Sequence, residues 1–288
     1  MDIIAPVLTP FRGDRIDLEK FGHHASNILK KGVDALFVAG TTGLGPALSL
    51  EEKKALLEAA AGLTKRVIIQ VGSLRHEEVL ELLSYSRRFD VEAVASVPPY
   101  YFPRLSESQV AKYFKNLCAR SPHPVYLYNY PAAVGRDVHA QLAKRIGCIS
   151  GVKDTSEELA HTLAYKRLMP AVKVYNGADN LIAPAFAAGL DGVVASAANY
   201  LPEALKAMKE AVAEGDLRKA MAVQNLLYEV LEVARPLGYL AAIYELVEAF
   251  QGYAVGEPRP PIYPLEDEER RSLRGALEGV RERLRGLI

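Results

Sequence analysis

Short, mostly apolar runs alternate along this chain with longer stretches in which apolar residues recur every three or four positions. The short runs are Ile3–Leu8, Val33–Val38, Val67–Val71, Val91–Val97, Pro124–Tyr128, Ile149–Lys153, Val172–Tyr175 and Gly192–Ala195. Val, Ile and Tyr dominate them, and both alternations are apolar, as in parallel strands covered on two faces. The longer stretches include Asp17–Lys31, Ser49–Gly62, Leu74–Arg88, Ser106–Ala119 and Asp137–Ile146. Two of these open on capping-box residues, Ser49 with Glu52 and Ser106 with Gln109. Eight strands with helices between them predict an α/β chain folded as a (β/α)8 TIM barrel.

After the eighth run, Leu201-Pro202-Glu203 opens a helix to about Ala213, and Glu214-Gly215-Asp216 breaks the pattern. Three further helical stretches follow, punctuated by Pro236, Gly238 and the segment Gly256–Pro261. Leu226, Leu227, Val230, Leu231, Ile243, Leu246 and Val247 make these stretches apolar enough to pack on the barrel or on a second subunit. The expected organisation is a barrel over residues 1–213 and a C-terminal helical extension over 214–288.

Composition narrows the function classes. The 288 residues carry 35 Lys and Arg against 35 Asp and Glu, so nothing electrostatic favours nucleic acid or a membrane surface. Neither a basic leader nor an apolar run long enough for a membrane span is present, and a soluble cytoplasmic protein is expected. Cys118 and Cys148 are too few for a disulfide framework or a metal cluster, and are read as buried thiols, with a single bridge as the alternative. The histidines at 23, 24, 76, 123, 139 and 161 show no metal-ligand spacing, so no metal is expected.

Barrel chemistry gathers at the C-terminal ends of the strands. There the sixth run ends in Gly151-Val152-Lys153-Asp154-Thr155, placing a lysine at the mouth of a buried strand. The fifth ends in Tyr128, before Asn129-Tyr130-Pro131. A buried amine beside a phenol supplies a nucleophile and a proton carrier for Schiff-base chemistry. Taken singly, Tyr128 also reads as a core tyrosine and Lys153 as one half of an ion pair. The second run ends in Gly40-Thr41-Thr42-Gly43, whose hydroxyls and amides can cradle a carboxylate, or can simply turn the chain. The fourth leads into Pro98–Arg104, a stiff loop that presents Tyr100, Tyr101 and Phe102 to substrate or to an oligomer partner.

Gly40–Gly43, Pro99–Tyr101, Tyr128–Pro131 and Gly151–Asp154 together resemble, in order and spacing, the dihydrodipicolinate synthase/N-acetylneuraminate lyase family. The likeness covers essentially the whole chain. Gly43–Pro46, Ser121–Pro131 and Tyr253–Pro264 are most similar to its archaeal 2-keto-3-deoxygluconate aldolase branch. The resemblance implies a homotetrameric class I aldolase that forms a Schiff base through Lys153 and needs no cofactor. Its implied reaction is reversible cleavage of 2-keto-3-deoxygluconate and its 6-phosphate to pyruvate and glyceraldehyde or glyceraldehyde 3-phosphate. It assigns proton transfer to Tyr128, with Thr42 and Tyr101 (the latter from an adjacent subunit) as a relay. It assigns the keto-acid carboxylate to Thr41, Thr42 and Gly43, sugar hydroxyls to Thr155 and Gly177, and the 6-phosphate to Arg104, Tyr130 and Arg235. Leu44 stands where the synthase branch usually has Glu, and Ala132-Ala133 follow Pro131 where that branch places an Arg, which argues against an amino-acid aldehyde as substrate. Another pyruvate-dependent lyase, a sugar-acid dehydratase and a non-catalytic keto-acid-binding barrel remain as alternatives.

Overall fold

The computed structural model describes residues 1–287 apart from Pro103; Pro103 of the aromatic loop and Ile288 of the C-terminal segment lie outside the described residues. Eight parallel strands close into a barrel: β1 Asp2–Pro6, β2 Ala35–Val38, β3 Val67–Gln70, β4 Ala93–Ser96, β5 Val125–Asn129, β6 Gly151–Asp154, β7 Lys173–Asn176 and β8 Gly192–Val194. The expected runs sit on these strands with ends displaced by one to a few residues. An additional two-stranded hairpin, Phe11–Arg12 with Arg15–Ile16, follows β1 and was not anticipated.

The outer helices are α1 Leu18–Lys30, α2 Leu50–Ala61, α3 His76–Ser86, α4 Glu107–Arg120, α5 Ala140–Ile146, α6 Leu159–Leu168, α7 Ile182–Ala187 and α8 Pro202–Ala213. Both anticipated capping boxes are formed, at Ser49/Glu52 and Ser106/Gln109. The stretch expected as one helix from Asp137 begins only at Ala140, preceded by a separate turn of helix over Pro131–Val134. Asp137 is instead engaged by side chains, with Asn129 donating to its carboxylate.

Strand alternation divides the apolar residues into two sets. Ile4, Phe37, Ile68, Tyr126, Tyr128 and Tyr175 fill the barrel interior. Their neighbours Ile3, Leu36, Ile69, Leu127, Val152 and Val174 face the helices. That outer core continues into the C-terminal helices α9 Leu217–Ala234, α10 Tyr239–Gln251 and α11 Asp267–Arg285 through Leu227, Val230, Leu246 and Leu277. The N-terminal end of the barrel is closed by charge pairing: Arg66 binds both Asp2 and Glu92, and Tyr175 donates to Asp2 at 3.2 Å. Among the described residues no helix is long and apolar enough to cross a membrane.

The cysteines correct the expectation of buried thiols. Cys118 and Cys148 form a disulfide with Cα atoms 6.3 Å apart, and Cys148 is exposed. β5 and β6 are neighbouring staves, so the end of α4 and the loop before β6 meet within bridging reach. The bridge closes a segment of 30 residues on the side of the barrel away from its mouth. By loop-closure entropy, Cys118→Ser should lower unfolding free energy by about 3–4 kcal/mol. Denaturant unfolding of the variant and of the reduced protein checks this; a loss below about 1 kcal/mol would mean the bridge constrains nothing.

Candidate active site

β5 and β6 pair over four rungs, Tyr126–Gly151, Leu127–Val152, Tyr128–Lys153 and Asn129–Asp154. Because facing residues on paired strands point the same way, Tyr128 and Lys153 share the barrel interior while Asn129 and Asp154 share the outside. The Lys153 amine lies 4.0 Å from the Tyr128 ring centroid and 4.7 Å from that of Phe37, with the residue only 4% exposed. Burial pulls its pKa down from the usual lysine range to about 7, with the nearby Asp179 carboxylate pulling the other way. The two ring faces favour the ammonium by only about 1–2 kcal/mol, and desolvation outweighs them. At pH 7 about half of such amines are neutral, against roughly one in two thousand for a free lysine.

Tyr128 is fully enclosed. Burial pushes its phenol up to about 12, opposed by a 3.1 Å hydrogen bond to the Thr41 hydroxyl. A phenol in that state carries a proton at neutral pH and can accept one only as it passes its own onward. Thr155 Oγ1 is buried beside the Tyr128 hydroxyl, whose pKa it also helps to lower, and makes no well-formed hydrogen bond among the described residues. Gly177 explains the fit of this corner: a Cβ there would lie 2.1 Å from Thr155 Oγ1 and 3.1 Å from Lys153 Cε.

An opening of about 190 Å³ above the lysine brings together Thr41, Thr42, Tyr128, Tyr130, Lys153, Thr155, Gly177 and Arg235. Tyr130 stacks on Tyr128 with ring centroids 6.0 Å apart. The threonines divide differently from the expected relay: Thr41 meets Tyr128, whereas Thr42 bonds Ser196 at 2.9 Å. Gly43 lies beside the opening rather than on it. Its carbonyl accepts from Thr9, and a Cβ would lie 2.7 Å from the Val7 carbonyl, so tight backbone packing demands glycine. Tyr101 is 79% exposed in a left-handed conformation, and Arg104 on the same loop is exposed; neither lines the opening of its own chain.

Several lining residues were missed. Ser196 and Asp179 lie two and three residues past the ends of β8 and β7, so the strand-end rule could have found them. Asp179 is buried, which raises its carboxyl pKa, while the Tyr239 hydroxyl donates to it at 2.7 Å and opposes the rise. Tyr239 and Leu240 reach the opening from the start of α10, which no barrel rule points to. A larger depression of about 470 Å³ on the outer face of α6, lined by Ala160, Leu163 and Arg167 among others, has no such convergence of polar groups. Among the described residues no group of three or more His, Cys, Asp or Glu is arranged to hold a metal ion.

This geometry has close counterparts among known proteins. The chain is 60% identical over 285 residues to the 2-dehydro-3-deoxy-D-gluconate/2-dehydro-3-deoxy-phosphogluconate aldolase of Thermoproteus tenax, covering 99% of this chain and 93% of that one. It is 51% identical over 284 residues to the 2-dehydro-3-deoxy-phosphogluconate/2-dehydro-3-deoxy-6-phosphogalactonate aldolase of Saccharolobus solfataricus, covering 98% and 97%. A solved structure of the Sulfolobus solfataricus 2-keto-3-deoxygluconate aldolase in complex with D-KDPG superposes with a TM-score of 0.98 at 51% identity, covering 100% of this chain and 98% of that one. The sequence pattern of the dihydrodipicolinate synthetase family matches residues 1–280. The chain belongs to the dihydrodipicolinate synthetase family.

Proposed function

We propose that this protein is a metal-independent class I aldolase. It reversibly cleaves 2-keto-3-deoxygluconate and its 6-phosphate to pyruvate and glyceraldehyde or glyceraldehyde 3-phosphate. The observation that carries the reading is the buried, half-neutral Lys153 amine against the Tyr128 phenol. Lys153 attacks the C2 ketone, and loss of water leaves an iminium. The iminium accepts the electron pair of the breaking C3–C4 bond as an enamine, while the C4 hydroxyl gives up its proton as the aldehyde forms. Tyr128 receives that proton as it passes its own to Thr41, to which it is bonded at 3.1 Å, and Thr41 in turn passes its hydroxyl proton to the substrate carboxylate beside it. The proton taken from the C4 hydroxyl returns along the same chain to C3 of the enamine, and addition of the water lost at iminium formation releases pyruvate and the free Lys153 amine.

The remaining roles follow from position. Thr41 and Thr42 offer hydroxyls to the keto-acid carboxylate, and the Gly40–Gly43 turn fixes their backbone. The buried Thr155 hydroxyl, without a well-formed hydrogen bond among the described residues, suits a substrate hydroxyl. Gly177 leaves room for both. Tyr130 and Arg235 stand at the outer rim, where a guanidinium and a phenol can bind a terminal phosphate. Tyr101 and Arg104 are assigned to a neighbouring subunit's site in a homotetramer, and their exposed loop with Phe102, 54% exposed, supports that reading. The 2-keto acid is the only small-molecule partner the reading requires, and the cytoplasm the expected compartment.

Pyruvate with borohydride should add one three-carbon adduct per chain at Lys153, read by mass spectrometry, and abolish activity, whereas chelator should change nothing. The trapping rate should fall close to tenfold per pH unit below the amine's pKa of about 7, because only the neutral amine attacks. An adduct elsewhere would sink the mechanism. Lys153→Arg should be inactive despite its charge.

Tyr128→Phe should still form the pyruvate imine yet lose roughly 10²–10⁴ in turnover. Unchanged kcat with a lower Tm would assign Tyr128 to packing alone.

Arg235→Ala and Arg104→Ala should each remove about 1.5–3 kcal/mol of preference for the 6-phosphate through KM, leaving unphosphorylated substrate nearly unaffected. Equal losses on both substrates would make these arginines structural.

A further inference from the structure

Directly behind Tyr128 and Lys153, on the outer face of the same strand ends, lies a polar cluster with no part in the chemistry proposed above. Asn129 follows Tyr128, Asp154 follows Lys153, and the two are cross-strand partners. The Asn129 side-chain amide donates to Asp154 Oδ1 at 2.9 Å and to Asp137 Oδ1 at 2.8 Å, and its oxygen accepts from the Val138 backbone at 2.9 Å. His161, on the first turn of α6, spans the same two acids. Its Nδ1 lies 3.0 Å from Asp154 Oδ2 and its Nε2 3.0 Å from Asp137 Oδ2. Thr162 and Ser156 also donate to Asp154 Oδ2, at 2.6 and 2.8 Å.

Neutral imidazole has one donor nitrogen and one acceptor. Here both nitrogens face carboxylate oxygens, so the ring satisfies both only as imidazolium. The bonds to Asp137 and Asp154, in that order of strength, push its pKa up to about 10. One cation thus binds two acids that would otherwise repel each other across the β5–β6 seam. The constraint acts one residue away from the reacting pair.

Resting on the function proposed above, we infer that His161 is a positioning residue for the reaction: it clamps Asp154 and, through Asp137, Asn129, and so fixes the Lys153 amine against Tyr128. Removing it leaves the two carboxylates held by the Asn129 amide, and Asp154 by Thr162 and Ser156, without the cation that offsets their repulsion, so the side-chain ends of β5 and β6 are fixed less tightly. The contacts proposed for the substrate carboxylate come from Thr41 and Thr42 on a different strand end, and of the binding residues only Thr155 and Tyr130 share the clamped ends, so the loss falls more on turnover and pyruvate trapping than on KM.

The test compares wild type, His161→Gln and Asp137→Asn, well below each melting temperature and normalised to folded protein by circular dichroism. Pyruvate release from 2-keto-3-deoxygluconate and borohydride trapping of pyruvate are measured on each. In His161→Gln, kcat and trapping rate should fall about tenfold with KM within twofold. Asp137→Asn, which leaves the His161–Asp154 contact in place, should show a smaller fall in the same direction and carries the test if the first variant does not fold. His161→Arg, which restores a cation with several donors, should recover part of the lost kcat. Unchanged kcat per folded molecule in the variants, or a loss appearing only in KM, overturns the inference while an active wild type leaves the proposed function standing. A wild type that neither traps pyruvate nor releases it overturns both.

Discussion

The ladder between β5 and β6 governs the rest of this structure. Its register sets Tyr128 opposite Lys153 and Asn129 opposite Asp154. A one-residue slip would reverse every side chain, sending the lysine into the helical layer and an aspartate into the barrel. The register is held from both faces. Inside, Tyr126 stacks with Tyr175 at 6.1 Å and Tyr128 packs edge-on against Phe37 at 5.7 Å. Outside, Leu127 and Val152 bury into the apolar layer, and Asn129 and Asp154 enter a hydrogen-bonded network with Asp137 and His161.

Because that register buries the lysine, the amine loses its hydration in exchange for two aromatic faces and the field of Asp179. Neither compensates fully, and the neutral form gains. Asp179 is therefore part of the balance: an acid bound more closely to the lysine would restore the ammonium and remove the nucleophile. Its carboxylate is instead engaged by Tyr239, which in turn lies 2.9 Å from the Tyr200 hydroxyl. The C-terminal helices thus take part in the electrostatics of the barrel mouth, because α10 begins over the site.

The opening is built from residues far apart in sequence yet near in the ring of strands. β2, β5, β6, β7 and β8 each deliver residues within a few positions of their C-terminal ends, so small side chains matter as much as reactive ones. Thr155 and the Lys153 stem occupy the space that any side chain at position 177 would fill. Tyr101 and Arg104 are exposed and do not line this opening. A complete site on the proposed reading therefore needs a second copy of the chain.

Much of this was legible in the residues themselves. Apolar runs of Val, Ile and Tyr alternating with helical periods specify parallel strands under helices, and the capping residues at Ser49 and Ser106 mark helix starts that the structure reproduces. Lys153, Tyr128 and the Thr41-Thr42 turn were visible because barrel geometry sends strand ends to one mouth, a rule that depends on order along the chain. Contacts between distant segments were not legible. That Thr41 rather than Thr42 meets Tyr128, that Cys118 reaches Cys148, and that Tyr239 bends over Asp179 each depend on ångström distances set by packing of the closed ring. Nothing in the spacing of Asp137, Asp154 and His161 announces a shared site, since only the pairing of β5 with β6 and the docking of α6 bring them together. Local pattern therefore determined the elements and the reactive residues, and tertiary closure decided which of them touch, because periodicity is a property of neighbours in sequence and contact is not.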